Sequence, residues 1–332
     1  MATQQLVSVI VPLYNEEAVL AEFHRRISLV FSELPEYGWE LLFINDGSND
    51  RSQTLIEELS ETDPRIGVIS LSRRFGKEIA MTAGFDYARG DAVIVVDADL
   101  QDPPELIRDF VSEWRNGFDM VYARRTHREG ESWMKRTTAT AFYRLMDKLS
   151  GNVKIPRDTG DFRLVSRRAV DAMLQLREQH RFMKGIFSWV GFPSKAIDYR
   201  RDARPAGNTK FSYFNLWNFA LEGITSFSLA PLKLATYVGL ATAFLAMLYS
   251  LWIIAKTLLW GESVQGFPTL IVTILFLGGV QLFFIGVLGE YLGRIFDETK
   301  QRPLYFVQGY QPARSVPSSR LPIPHRSAKP VD

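Results

Sequence analysis

The 332-residue chain contains no cysteine, which excludes disulfides, zinc-thiolate sites and thiol nucleophiles together. Its four histidines, His24, His127, His180 and His325, lack the close spacing of a helical metal site, and each reads as a surface or packing residue. Net charge is scarce as well. At +2 it is too near zero to draw nucleic acid through bulk electrostatics, so no nucleic-acid partner is expected. The glycine cradles for phosphate, Gly-x-Gly-x-x-Gly and Gly-x-x-x-x-Gly-Lys, are both missing. Met1 to Gln5 is polar and uncharged, and the apolar run after it is short and contains Pro12, so no cleavable signal peptide is expected.

What is present centres on Val93-Ile94-Val95-Val96-Asp97-Ala98-Asp99-Leu100-Gln101-Asp102-Pro103-Pro104-Glu105. Four β-branched residues in a row predict a strand buried on both faces. Side chains alternate along a strand, so the i, i+2 spacing of Asp97 and Asp99 would send both carboxylates the same way at its carboxyl end. Two converged carboxylates, with Gln101 as a third oxygen, would suit Mg²⁺ or Mn²⁺, ions that keep open positions for phosphate. An isolated Asp-x-Asp is as readily a strand-end turn, and the remaining clusters weigh against that. Pro103 and Pro104 suit a helix start, predicting a helix over 103–116.

Upstream, Leu6 to Val11 reads as a strand breaking at Pro12 into Tyr14-Asn15-Glu16-Glu17, followed by a helix from Val19 to Phe31. Trp39 to Ile44 is a second strand, ending in Asn45-Asp46-Gly47-Ser48, and Ile66 to Ser70 a third, followed by a helix from Gly76 to Ala88. This alternation predicts an α/β domain with a doubly wound, mainly parallel sheet, whose ligands lie beyond the carboxyl ends of the strands. Three polar clusters at such ends make a site the better reading. Without glycine cradles, a metal would carry most of a diphosphate's charge, which suits an enzyme whose leaving group is a nucleoside diphosphate.

Arg124, Arg125, Arg128, Lys135 and Arg136 form a basic cluster. A solvated face is the ordinary reading for Arg128 and Lys135, whereas Arg125 and Arg136 could clamp a phosphate. Asp161, in Asp158-Thr159-Gly160-Asp161-Phe162-Arg163-Leu164, reads as an abrupt acidic turn before a short strand, and is the candidate catalytic group.

The C-terminal third is apolar. Leu234 to Ala255 and Gly266 to Gly289 offer roughly 22 and 24 uncharged residues, which predicts a transmembrane hairpin. Flanking arginines and lysines put both termini and the catalytic domain in the cytoplasm, making a multi-pass protein of the plasma (inner) membrane. Phe211, Phe214, Trp217, Leu221 and Ile224 recur at helical steps and read as an interfacial helix, with a core helix as the alternative. The expected units are 1–205, catalytic; 206–231, interfacial; 232–293, two spans; and 294–332, a tail largely disordered after 309.

Val9 to Glu17, Asn45 to Ser48, Asp97 to Glu105 and Gly160 to Leu164 together resemble glycosyltransferase family 2, and within it the polyisoprenyl-phosphate glycosyltransferases. Arg73-Arg74-Phe75-Gly76-Lys77-Glu78, Gly207-Asn208-Thr209-Lys210 and the two-span end look most like the bactoprenol glucosyltransferase branch. The resemblance implies a Rossmann-like GT-A domain. It further implies inverting transfer of a hexose, glucose first, from a UDP-sugar to undecaprenyl phosphate. Mannose, N-acetylglucosamine, galactose and 4-amino-arabinose stand behind glucose. By that resemblance Pro12, Tyr14, Glu16 and Asp46 hold the uridine, with Lys77 and Ala98 also on the nucleotide-sugar side, and Asp97, Asp99 and Gln101 take Mg²⁺ or Mn²⁺ and the diphosphate. Arg125 (or Arg124), Arg136, Thr140 and Lys210 meet phosphate at the lipid end, and Asp161 is the presumed base. An acceptor phosphate is already mostly dianionic at neutral pH, so Asp161 is expected to orient at least as much as to take a proton. The Gln-x-x-Arg-Trp motif of processive synthases is absent, since Gln179-His180-Arg181 does not match it. Self-association through the spans or the interfacial helix is expected as an option, and a membrane-anchored nucleotide-sugar sensor is the rival from another class.

Overall fold

A computed structural model of the protein describes residues 4–126, 156, 159–199, 230–260 and 266–316. Among these, eight strands make one sheet: β1 Leu6–Leu13, β2 Gly38–Asn45, β3 Ile66–Leu71, β4 Ala92–Val95, β5 Met120–Arg125, β6 Thr159–Ser166, β7 Ser194–Tyr199 and β8 Val307–Gln311. Their order is β7-β5-β6-β4-β1-β2-β3-β8. The centre, β4-β1-β2-β3, is parallel, as is β5 with β7, whereas β6 runs antiparallel between β4 and β5 and β8 antiparallel to β3.

The sheet is buried on both faces, which is why its central strands read as unbroken apolar runs. Val7, Val9 and Val11 meet one set of helices, α1 Leu20–Glu33, α2 Ser52–Thr62 and α4 Ile107–Arg115, through Phe23, Ile27, Ile56 and Phe110. On the other face Ile10, Leu42 and Val95 meet α3 Lys77–Tyr87, α5 Arg167–Met173 and α6 Met183–Trp189. Each such buried Ile, Leu or Phe contributes about 1.5–3 kcal/mol relative to an exposed one. Two long helices follow, α7 Ala230–Trp260 and α8 Phe267–Thr299. Within α8 the 24-residue stretch Phe276–Thr299 is long and apolar enough to cross a membrane, and none of its most apolar part is buried inside the protein.

Several expectations are corrected. Strand β1 does not break at Pro12 but runs through it, Pro12 lying opposite Ile44. Strand β4 stops at Val95, so Asp97 and Asp99 sit on a loop, and strand alternation does not set their direction. Asp161 lies within β6 rather than at a turn. Of the tail after Gly309, residues 310–316 are described and are ordered. Tyr310 and Gln311 pair with Ile69 and Val68 on the edge of the sheet, and Ala313 and Val316 are buried against Leu6. A gain in apolar burial and the capping of an edge strand offset the ordering of this polar segment.

One buried ion pair ties the tail to the sheet's start. Glu40, fully buried on β2, accepts from the Ser8 hydroxyl, from the Arg89 amide at 3.0 Å and from Arg89 Nε at 2.6 Å. Arg89 Nη2 donates on to the Ala313 carbonyl at 3.1 Å. The end of α8 is held to the domain separately: the Gln179 amide donates to Glu298 at 2.7 Å, and His180 Nε2 lies 3.1 Å from Asp297. Removing one partner of a buried pair strands the other charge. Arg89→Met is therefore expected to lower the unfolding free energy in denaturant by about 3–5 kcal/mol. Arg314→Ala, which loses only bonds to the Ser60 and Glu61 carbonyls, should change it by about 1 kcal/mol.

Candidate active site

The parallel register sets Leu13 beside Asn45, so the loops leaving β1 and β2 emerge together. Their polar side chains lace one to the other. The Asn15 amide donates to Ser48 Oγ at 3.0 Å, Asn15 Oδ1 accepts from the Asn49 amide at 2.8 Å, and the Glu16 amide donates to Ser52 Oγ at 2.9 Å. Asn15 adopts the left-handed conformation (φ 56°), which asparagine tolerates better than most residues. Gly47 (φ 70°) is required: a Cβ there would lie 2.8 Å from the Arg74 amide nitrogen. Asp46 accepts from the amides of Phe75 at 2.7 Å and Gly76 at 2.9 Å, fixing the loop before α3. Burial pushes its pKa up, against those two amides. The Arg74 guanidinium sits 4.1 Å above the Tyr14 ring. Pro12, Tyr14, Glu16 and Asp46 thus share one edge, and Asp46 visibly has a structural duty there.

The second half comes from β4 and β6. Val95, where β4 ends, opposes Arg163, and Asp97 and Asp161 lie two residues beyond that pair on either chain segment. Two facing carboxylates repel unless a cation lies between them. Lys77, the first residue of α3, is that cation: its Nζ lies 2.7 Å from the Asp97 carboxylate and 2.7 Å from Asp161 Oδ2. Ala98 is buried, and Leu100 turns the loop with φ 57°, a conformation that costs a bulky residue about 1–3 kcal/mol. Beyond it the Gln101 amide donates to Asp99 Oδ1 at 3.2 Å. Asp97, Asp99 and Gln101 offer an all-oxygen donor set on one loop, of the chemistry Mg²⁺ and Mn²⁺ take. Among the described residues no three acidic or histidine side chains converge to hold a metal unaided.

The electrostatics follow from burial. Desolvation opposes ionisation of Asp161, but Lys77 and Lys184 outweigh it and hold its pKa below the usual carboxylate range. Burial would likewise lower Lys77, yet Asp161 and Asp97 raise it. Glu78, the next residue, is pushed up to about 7 by burial and by Asp161, while its carboxylate accepts from the Met183 amide at 2.8 Å. Asp161 Oδ1 is buried without a hydrogen-bond partner.

Arg125 lies against this centre: a Cβ on Gly160 would fall 2.9 Å from Arg125 Nη2. Its Nε donates to Tyr199 Oη at 3.1 Å, its Nη2 is 3.6 Å from Asp102, and Tyr199 Oη donates to Asp102. Arg124 instead pairs outward with Asp198 at 2.6 Å, so of the two arginines Arg125 is the one beside Gly160 and Asp102. Arg136, Thr140 and Lys210, together with the Phe211 to Ile224 helix, lie outside the described residues. Glu78, Arg163 and Lys184 surround Asp161 without having been singled out as site residues from sequence. Glu78 could have been, as it follows Lys77 in the same motif, whereas Lys184 carries no local signal.

The sequence matches glycosyl transferase family 2 over residues 8–174 and the GtrB C-terminal hairpin over residues 230–295. The chain belongs to glycosyl transferase family 2. The family 2 domain accounts for the mainly parallel α/β sheet, which is of the GT-A kind. Among similar proteins, an uncharacterized glycosyltransferase of Synechocystis sp. is 47% identical over 95% of this chain and 98% of its own. A prophage bactoprenol glucosyl transferase homolog of Escherichia coli is 48% identical over 91% of this chain and 98% of its own. The bactoprenol glucosyl transferase of Shigella phage SfV is 49% identical over the same shares, 91% and 98%. Among solved structures, mannosyl-3-phosphoglycerate synthase from Rubrobacter xylanophilus is similar with TM-score 0.45 at 19% identity, over 66% of this chain and 71% of that one.

A raised carboxylate makes a family 2 domain like this one sensitive to neutral pH. The folded state keeps the Glu78 proton up to about 7, whereas the unfolded chain releases it near 4.5, so this residue's contribution lowers stability as pH rises between those values. Glu78→Gln keeps an acceptor for Met183 and removes the titration. Its melting temperature relative to the native protein should therefore rise steadily from pH 4.5 to 7 and level off above, measured by thermal unfolding across that range.

Proposed function

We propose that the chain transfers a hexose, glucose in the first instance, from a UDP-sugar to undecaprenyl phosphate or a similar polyisoprenyl phosphate at a membrane surface, with inversion. One observation carries this reading: Asp161, with a buried oxygen that lacks a partner, is joined through a single ammonium to Asp97 of the Asp-x-Asp loop. The diphosphate end of a donor and the attacking end of an acceptor would meet across that distance. Relatives 48–49% identical to the chain, named as bactoprenol glucosyl transferases or a homolog of one, support bactoprenol as the acceptor class and glucose as the sugar.

In this reading Pro12, Tyr14, Glu16 and Asp46 hold the uridine, and Lys77 with Asp97 and Ala98 lines the diphosphate and sugar. Asp97, Asp99 and Gln101 would hold Mg²⁺ or Mn²⁺, which when bound supplies charge neutralisation to the leaving UDP. Arg125, Arg136, Thr140 and Lys210 gather the lipid phosphate. A phosphate oxygen forms the new bond to the anomeric carbon as the bond from that carbon to the β-phosphate oxygen breaks, and UDP departs with the electron pair. The acceptor's second pKa is near 6, so it arrives at neutral pH largely without a proton to lose. Asp161 then serves chiefly to orient it.

The fold also supports the hairpin. β8, after α8, belongs to the same sheet as β1 to β7, so the chain between them must cross a membrane an even number of times. If Phe276–Thr299 crosses, α7 is the partner span, and the catalytic domain and tail share one side. Basic residues around the hairpin favour the cytoplasmic side of the plasma membrane.

The test is transfer of label from UDP- and GDP-sugars into organic-extractable lipid, using membranes with undecaprenyl phosphate and Mg²⁺. Label is expected from UDP-glucose, with a loss of about 10²-fold or more in Asp99→Ala and on chelation by EDTA. Label from another donor corrects the sugar. UDP binding with no lipid labelled from any donor would overturn the reading in favour of a sensor.

A further inference from the structure

Strands β5 and β7 run in parallel register, Arg124 beside Asp198 and Arg125 beside Tyr199. Successive residues of a strand point opposite ways, so the two pairs lie on opposite faces of the sheet. They are built differently. On the exposed face the Arg124 fork is closed, with Nε 2.6 Å from one oxygen of Asp198 and Nη2 2.9 Å from the other. On the inner face a phenol takes the place of that carboxylate. Tyr199 Oη accepts from Arg125 Nε at 3.1 Å and donates its own hydrogen to Asp102. Burial and the Asp102 carboxylate push the Tyr199 pKa up to about 12, so that hydrogen is present at neutral pH. Among the described residues Nη1 and Nη2 of Arg125 make no hydrogen bond. Nη2 stands 3.6 Å from Asp102 Oδ1, near enough for attraction but too far for a hydrogen bond. The Asp102 side chain is 2% exposed, whereas Arg125 keeps 23%, so the guanidinium is the part of the cluster a ligand can reach.

Room for the fork comes from β6. A Cβ on Gly160 would fall 2.9 Å from Arg125 Nη2 and 3.4 Å from Asp102 Oδ2, so a larger residue would push the guanidinium from its place. Position along the sheet indicates which phosphate the fork can meet. Strand β6 is antiparallel to both β4 and β5, so β4 and β5 end at the same edge. The order β5-β6-β4-β1-β2 then sets the loops of β1 and β2, with Tyr14 and Asp46, on one side of Asp97 and Asp161, and Arg125 on the other. The fork lies at the end of the centre away from the nucleotide loops.

We infer that Tyr199 and Gly160 are positioning residues for Arg125: Tyr199 holds Nε and Gly160 leaves room for Nη2, so that both Nη groups stay open to clamp the phosphate of the lipid acceptor. This rests on the reaction proposed above, in which Arg125 meets that phosphate. A guanidinium binds phosphate best through two parallel N–H groups. A fork already fixed by its third nitrogen loses less freedom when it does so.

The experiment uses the full chain in detergent micelles with undecaprenyl phosphate and UDP-glucose. The native protein is compared with Tyr199→Phe, Gly160→Ala, Arg125→Met, and Arg125→Met combined with Tyr199→Phe. Tyr199→Phe and Gly160→Ala should each raise the acceptor KM roughly tenfold, the effect of losing one hydrogen bond to a charged group. The UDP-glucose KM and the UDP dissociation constant should stay within about twofold. In the Arg125→Met background, adding Tyr199→Phe should change the acceptor KM by less than about twofold, because no guanidinium is left to hold. A full effect of Tyr199→Phe in that background means that the phenol acts on structure rather than through Arg125, and overturns the inference. Donor and acceptor constants that move together also overturn it, as does an unchanged acceptor KM in Tyr199→Phe or Gly160→Ala. What must give way in Gly160→Ala is the flexible end of an arginine, so this variant decides alone if Tyr199→Phe fails to fold. Absence of lipid transfer by the native protein overturns the underlying reaction and this assignment with it, whereas native transfer with any of the contrary results above overturns the assignment alone.

Discussion

The ammonium of Lys77, 2.7 Å from both Asp97 and Asp161, is the contact around which this centre is organised. Without it, β6 could not bring a carboxylate opposite the Asp-x-Asp loop at low cost. Two like charges about 4 Å apart repel by roughly 4 kcal/mol at an effective dielectric near 20. The cation turns that repulsion into attraction and keeps Asp161 ionised despite its burial. It also joins the two halves of the domain. The loops of β1 and β2 hold the approach to α3 through Asp46, and α3 delivers Lys77 at its first residue. The glycine at position 47 and the short path from Asp46 to Gly76 are therefore electrostatic supports as well as turn geometry.

A second set of contacts relates this centre to the apolar helices. Loop residues Gln179 and His180 are held by Glu298 and Asp297 at the end of α8, and three residues later the same loop enters α6 with Met183 and Lys184. Past α8, Tyr305 Oη donates to Asp86 at 2.7 Å, Asp86 pairs with Arg177 at 2.6 Å, and β8 closes the sheet edge. The helix that can cross a membrane is thus fastened to the domain on both sides of its last turn. In the proposed reaction an acceptor anchored in lipid would require such a fixed height above the bilayer, because orientation is the main aid that a dianionic nucleophile needs.

Much of this was legible in the amino-acid sequence. The parallel strands β1 to β4 appear as apolar runs closed by polar residues, because two-sided burial removes polar positions from the strands and leaves them at the ends. Asp97, Asp99 and Asp46 stand out for the same reason. What stayed hidden depends on long-range pairing. Gly160-Asp161 has the local signature of a turn, yet pairing with β4 on one side and β5 on the other draws β6 through it. Val307–Gln311, interrupted by Gly309 and followed by Pro312, looks too polar to order until the bare edge of β3 supplies its partner. Lys184 is one charge on a short helix and carries no local signal of a site.

The central claim is that Lys77 is the resident counter-charge of the Asp97 and Asp161 pair, and that a divalent ion and this ammonium compete for Asp97. It is tested most directly by calorimetric titration of the nucleotide-free protein with Mn²⁺, comparing the native chain with Lys77→Met. Removing the competing cation should tighten Mn²⁺ binding by about tenfold, equivalent to roughly 1.4 kcal/mol. Unchanged or weaker Mn²⁺ binding in Lys77→Met would contradict the account, because Asp97 would then not be the carboxylate that the two cations share.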